Sequence, residues 1–175
     1  KFGKAKVSLP GGCAIGTRPV DIHLFGLKKL GASIKIKNGY ILASAKKGLT
    51  GATIRFPSIS VGATENVIIA ASFAKGTTYL KNCACEPEIK NLTDFLKKMG
   101  VKITWKNKRE IKIIGNKKLK SVTHTVMFDR IEAGTFVIAG ALVSKSLKIL
   151  GVNTKIIKKE LAILKGMGVK LKIKK

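Results

Sequence analysis

Leu96-Lys97-Lys98-Met99-Gly100-Val101-Lys102-Ile103 is the stretch on which the fold turns. It has two near copies, Leu27-Lys28-Lys29-Leu30-Gly31-Ala32-Ser33-Ile34 and Leu164-Lys165-Gly166-Met167-Gly168-Val169-Lys170-Leu171. The glycines Gly31, Gly100 and Gly168 stand 69 and 68 residues apart. Each copy reads as the end of an amphipathic helix, a glycine cap and the start of a strand. The pattern predicts helices over Pro19–Leu30, Pro87–Met99 and Lys155–Met167, with Pro19 and Pro87 early, where proline is tolerated. Return strands should follow. Lys35–Lys37 and Tyr40–Ser44 flank Asn38-Gly39, a strong hairpin signal. Lys102–Trp105 and Glu110–Ile114 flank Lys106–Arg109.

Copies two and three carry an earlier helix and strand. Ala63–Lys75 leads into Thr77–Lys81, and Ile131–Ser144 into Leu147–Leu150. Both helices are apolar all round, which predicts burial on most faces. The unit is therefore strand–helix–strand–helix–strand–strand, repeated over about 1–54, 55–120 and 121–175. We expect one α/β (α+β) domain with threefold pseudo-symmetry, helices inside and sheets outside. The chain starts at Lys1 and reaches Lys175 before a third return strand, so it reads as part of a longer protein.

Composition narrows the function. No apolar run is long enough to cross a bilayer, and no signal peptide opens the chain. Three cysteines offer no secreted disulfide framework, so a reducing cytoplasm is expected. The formal charge is +26, which raises nucleic acid. However, only four of the 35 basic residues are arginine, aromatics are 6%, and the lysines run from end to end. Base readout favours Arg and stacking favours aromatics. Cys83 and Cys85 with His23 and His124 do not make a paired zinc knuckle, and no Gly-x-Ser-x-Gly elbow or dinucleotide fingerprint is present.

The chemistry concentrates at loop–helix junctions. Leu9-Pro10-Gly11-Gly12-Cys13-Ala14-Ile15-Gly16-Thr17-Arg18-Pro19-Val20-Asp21-Ile22-His23 places a thiol among three glycines, just before a helix that Thr17 would cap. A helix N-terminus attracts anions, and Arg18 adds a guanidinium beside it. The same field would stabilise the Cys13 thiolate. The alternative is a plain turn with an inert cysteine. Phe56–Thr64 is a second junction: Ser58 and Ser60 offer hydroxyls, and Gly62 admits a close approach to the backbone, although a simple helix cap explains the pattern too. Asp129, with Glu132 three residues on, resembles a capping box, and Cys85-Glu86-Pro87-Glu88 is a fourth helix start. Five of the nine acids lie at such starts, which leaves no acidic cluster for a metal.

With these motifs in view, Leu9–His23 closely resembles the Cys loop of the UDP-N-acetylglucosamine enolpyruvyl transferases, the MurA family of 1-carboxyvinyltransferases in the EPSP synthase superfamily. Ser58–Thr64, Glu86–Ile89 and Asp129–Thr135 match further family motifs in order. Shikimate-pathway relatives lack the Cys loop. The resemblance implies an α/β prism of six repeated units, of which this chain would hold most of one domain. It implies transfer of the enolpyruvyl group of phosphoenolpyruvate to the 3-hydroxyl of UDP-N-acetylglucosamine, with loss of phosphate, in peptidoglycan synthesis. No cofactor is expected, and the few His and Cys residues leave no metal expected either. Cys13 would be the general acid toward the enolpyruvyl carbon and the residue that fosfomycin alkylates. Arg18 would contact phosphoenolpyruvate. Arg18, Pro19, Val20, Asp21 and Ile22 would line the UDP-sugar site, and Ser58, Ile59, Ser60, Val61 and Gly62 would hold its diphosphate. Ser58 stands where some members carry Lys, and Cys85 where Arg is common. The implied partners are the two substrates and the second domain of the same enzyme, not a membrane or a specific nucleic acid. A basic nucleic-acid-binding module is the rival reading; it needs lysines aligned on one face.

Overall fold

The computed structural model describes residues 2–11, 19–116 and 118–173. The chain divides into two compact units, Lys1–His124 and Thr125–Lys175. The first opens with β1 (Lys4–Ser8), α1 (Asp21–Lys29), β2 (Ser33–Lys37) and β3 (Tyr40–Ser44). It continues with β4 (Thr53–Arg55), α2 (Val61–Ser72), β5 (Thr77–Lys81), α3 (Pro87–Lys98), β6 (Lys102–Asn107) and β7 (Glu110–Ile114). The second unit holds α4 (Arg130–Val143) and α5 (Lys158–Gly166).

The two sheets are variants of one plan. The first has the order β1-β3-β2, the second β4-β5-β7-β6. β1 pairs antiparallel with β3 as β5 does with β7, and each hairpin partner, β2 or β6, lies on the far side. β1-α1-β2-β3 thus repeats β5-α3-β6-β7. The second sheet adds β4, parallel to β5 and joined to it through α2. That completes the predicted strand–helix–strand–helix–strand–strand unit once.

The repeated glycines explain the copies physically. Gly31, Gly100 and Gly168 have φ of +94°, +101° and +89°, the left-handed region where a side chain is disfavoured. In every copy two backbone bonds close the helix: Gly31 N–H donates to Lys28 O and Ala32 N–H to Leu27 O, with the same pairs at Gly100 and Gly168. This double closure is the Schellman motif. Asn38 and Gly39, with φ of +50° and +74°, make the two-residue turn between β2 and β3 as expected.

The core of the first unit lies between the helices and the second sheet. Ile54, Leu80, Ile111 and Ile113 from the strands meet Val67, Ile68 and Ala71 of α2 and Ile89 and Leu96 of α3. These alternate strand positions point inward while Arg55, Tyr79 and Lys112 take the other face. α1 crosses close to α2 because Gly26 lacks a side chain; a Cβ there would overlap Val67 Cγ2.

Several sequence expectations need correction. Pro19 is not in the first helical turn: α1 begins at Asp21, with Val20 as its cap residue and no side-chain capping bond. Pro87, by contrast, does occupy the first turn of α3. The other helix ends shift by a few residues, as fraying termini do. Leu147–Leu150 is not a strand, nor is Val169–Leu171. A strand exists only where a neighbour accepts its ladder bonds, and the described residues of the second unit offer none. Leu147 instead packs against Gly140 of α4. α4 itself is not buried on most faces. Ala133 is its one buried residue, while Phe136 is 54% exposed and Leu142 78%.

Candidate functional site

β4 and β5 run parallel, so the loops at their carboxyl ends emerge side by side, each leading into a helix. In open α/β sheets this is where ligands bind. The two loops are tied together. Asn82, at φ +59°, donates from its side chain to Phe56 O at 2.9 Å, and Ala84 N–H donates to the buried Thr64 hydroxyl at 3.1 Å. Arg109 holds the same loop from the hairpin side, donating from Nη1 to Cys83 O at 2.9 Å.

At the start of α2, Ser60 is the cap. Its hydroxyl accepts from Ala63 N–H at 3.3 Å, and its carbonyl accepts from Thr64 N–H and from the Thr64 hydroxyl. The first-turn N–H groups of Val61 and Gly62 have no acceptor within the helix, as at any helix start. Ser58 and Ile59 are exposed just ahead of them. Gly62 also makes room for a neighbouring side chain. A Cβ there would lie 3.2 Å from His23 Cε1, so the close approach is that of an imidazole on α1.

His23 joins the two predicted site regions. Its Nδ1 lies 2.6 Å from Asn66 Nδ2. With the Asn66 amide donating, the ring proton sits on Nε2. The pair brings the start of α1 alongside the start of α2. The structure therefore gathers Val20, Asp21 and Ile22 with Ser60, Val61 and Gly62. Asp21 is exposed, and Ile22 and Val61 pack onto the core. Cys13 and Arg18, along with Thr17, lie outside the described residues. Sequence reasoning missed the His23–Asn66 link. The available signal was a histidine two residues after Asp21 and an asparagine six after the Ser60 cap.

The start of α3 completes the group of helix ends. Glu86 caps it by position and accepts from Cys85 N–H through Oε2 at 2.7 Å. Burial, and the nearby Glu88 carboxylate, raise the pKa of Glu65 on α2. Asp129 caps α4 as expected, its Oδ1 accepting from Ile131 and Glu132 N–H at 2.8 and 3.2 Å. Among the described residues no group of three or more His, Cys, Asp or Glu could hold a metal ion.

Repeated strand–helix units, with helix starts gathered beyond a parallel strand pair, define an α/β protein built on one repeated plan. The comparisons make this specific. The sequence profile of the EPSP synthase (3-phosphoshikimate 1-carboxyvinyltransferase) family matches residues 1–175, and the chain belongs to that family. It is 61% identical over 175 residues to a UDP-N-acetylglucosamine 1-carboxyvinyltransferase of Pelagibacter ubique, covering all of this chain and 42% of that protein. It is 50% identical over 173 residues to UDP-N-acetylglucosamine 1-carboxyvinyltransferase 1 of Clostridium acetobutylicum, covering 99% of this chain and 41% of that one. The chain thus spans about two fifths of the length of these relatives. Among solved structures, the enolpyruvyl transferase NikO of Streptomyces tendae superposes with a TM-score of 0.82 at 21% identity, over 99% of this chain and 42% of its own. EPSP synthase of Acinetobacter baumannii superposes with a TM-score of 0.66 at 22% identity, over 94% and 37%. The fold is that of the enolpyruvyl transferases.

Proposed function

We propose that this chain is most of one domain of a UDP-N-acetylglucosamine 1-carboxyvinyltransferase, with residues 1–175 as a single functional domain. The reaction moves the enolpyruvyl group of phosphoenolpyruvate to the sugar 3-hydroxyl and releases phosphate, a cytoplasmic step of peptidoglycan precursor synthesis. The carrying observation is the 61% identity, over the whole chain, to a relative bearing that name. The local geometry supports the reading. Val61 and Gly62 N–H suit a diphosphate oxygen, with Ser58, Ile59 and Ser60 forming the edge of that subsite. Pro19, Val20, Asp21 and Ile22 would border the UDP-sugar from the neighbouring helix start.

In this reading Cys13 delivers a proton to the enolpyruvyl carbon, and Arg18 holds the phosphoenolpyruvate anion. A thiol in a positive field exchanges protons readily near neutral pH. Fosfomycin, an electrophile, would alkylate the same sulfur. The reaction needs the second domain, because closure of both would exclude water and fix the reactants.

The test is a chimera in which residues 1–175 replace the matching part of the Pelagibacter ubique relative. It should release phosphate from phosphoenolpyruvate only when UDP-N-acetylglucosamine is present. The 175-residue chain alone should release none above background. A folded chimera without turnover would overturn the reading.

A further inference from the structure

The first sheet carries a surface unrelated to the helix starts. β3 is central, with β1 and β2 on its two sides. Register aligns Lys4 with Ser44 and Ser33, Lys6 with Leu42 and Lys35, and Ser8 with Tyr40 and Lys37. Alternation puts all of these on one face, and Ala5, Val7, Ile34, Ile36, Ile41 and Ala43 on the other. The polar face thus has two lysine rails, Lys4 and Lys6 on one edge strand and Lys35 and Lys37 on the other. All four lysines are exposed. A shallow cavity of about 510 Å³ lies at one end of this face, lined by Lys4, Lys6, Ser33, Lys35, Leu42 and Ser44 together with Ala5 and Ala43; it does not reach Lys37 or Tyr40.

No acid occurs in any of the three strands, although the chain has nine. The equivalent face of the second sheet does carry one, Glu110 beside Lys81 and next to Lys112 in the register. Along a strand, same-face lysines sit about 6.7 Å apart, and the two rails are about 9.5 Å apart, two strand spacings. The spacing along each rail suits consecutive phosphates of an extended chain. Tyr40 lies between the rails, 41% exposed, with Lys6 Nζ 4.3 Å from its ring centroid. An aromatic face beside a lysine row is how proteins hold unpaired bases and their backbone together. The Ser8, Ser33 and Ser44 hydroxyls add donors for phosphate oxygens.

We propose that this face binds single-stranded nucleic acid, without sequence preference, between the two lysine rails. The phosphates pair with Lys4, Lys6, Lys35 and Lys37, and one base stacks on Tyr40 in place of the Lys6 ammonium. This contact is independent of the enolpyruvyl-transfer reading.

Fluorescence anisotropy of a labelled oligothymidylate tests it on the intact 175-residue chain. Replacing Lys4, Lys6, Lys35 and Lys37 by Gln should weaken binding about tenfold or more at low salt. The slope of log affinity against log salt should fall by about 3, four contacts at about 0.7 each. Tyr40→Ala should weaken binding with the slope unchanged. The same number of substitutions at exposed lysines of the second unit, Lys158, Lys159, Lys165 and Lys170, is the control. Circular dichroism shows whether each variant is folded. A control that loses as much affinity would overturn the proposal, because the +26 charge would then act as a whole. So would a duplex, or inorganic polyphosphate alone, binding more tightly than the oligothymidylate, and so would no binding at low salt.

Discussion

The two described thiols, Cys83 and Cys85, sit in different surroundings. Cys83 is fully buried, and burial, with Glu110 nearby, pushes its pKa up to about 12. At pH 8 only about one part in ten thousand would be thiolate, the reactive form. Cys85 is half-exposed, two residues on, just before the carboxylate cap of α3. Cys13 precedes Arg18 and a helix start. Timed labelling with iodoacetamide, read by mass spectrometry, should give Cys13 fastest and Cys83 slowest. Arg18→Ala should slow Cys13 alone, by an amount on the order of 1 kcal/mol. If Cys13 labels no faster than Cys83, its role as proton donor loses its physical support. The Cys83 shift also acts on stability. The folded state keeps the proton that the unfolded state gives up near its ordinary pKa. This contribution is therefore fully present below about pH 9 and is lost as pH rises toward 12.

At the scale of elements, the same substitution should have opposite signs in two helices. Gly26→Ala puts a methyl group into Val67 and should push α1 off α2, costing about 1–3 kcal/mol. At Gly134 in α4 an added methyl group would meet nothing within 4 Å beyond its own helix, so Gly134→Ala should raise helix stability by up to about 1 kcal/mol. Urea unfolding followed by circular dichroism gives both values; equal signs would mean that the α1–α2 contact is looser than described. The elements that were legible in the sequence are those whose cause is local. Gly31, Gly100 and Gly168 each close a helix with bonds made inside a few residues, and Asn38-Gly39 makes its own turn. Asp129 caps its own helix in the same way. Leu147–Leu150 misled because a strand depends on a partner chosen elsewhere in the chain. The site was half legible for the same reason. Ser60 and Gly62 announce a helix start, but nothing near Gly62 in sequence says that His23 will lie against it.

The whole molecule has two compact units joined through irregular backbone. Leu119 still packs on the first core, and Lys120 N–H still donates to Met99 O at 2.9 Å. Beyond them, 121–129 carries no helix or strand and is largely exposed. Brief proteinase K digestion should therefore nick this stretch first and leave a resistant N-terminal fragment of about 120 residues. Early cleavage inside β4–β7 would contradict the division into units.

The repeat sets one copy free to change. β5 reaches α3 through the five residues 82–86, whereas β1 reaches α1 through the twelve residues 9–20. The ends of the longer link are fixed by others: Ser8 by its pairing with Tyr40, and α1 by His23 on Asn66. Between two anchors that hold without it, added length costs only the slowly growing entropy of closing a longer loop. The extra seven residues are thus a length of chain that can be exchanged while the frame stays as it was. A designer seeking to graft a foreign loop onto this scaffold would start there, and would find the shorter twin link already showing the minimum that the frame requires.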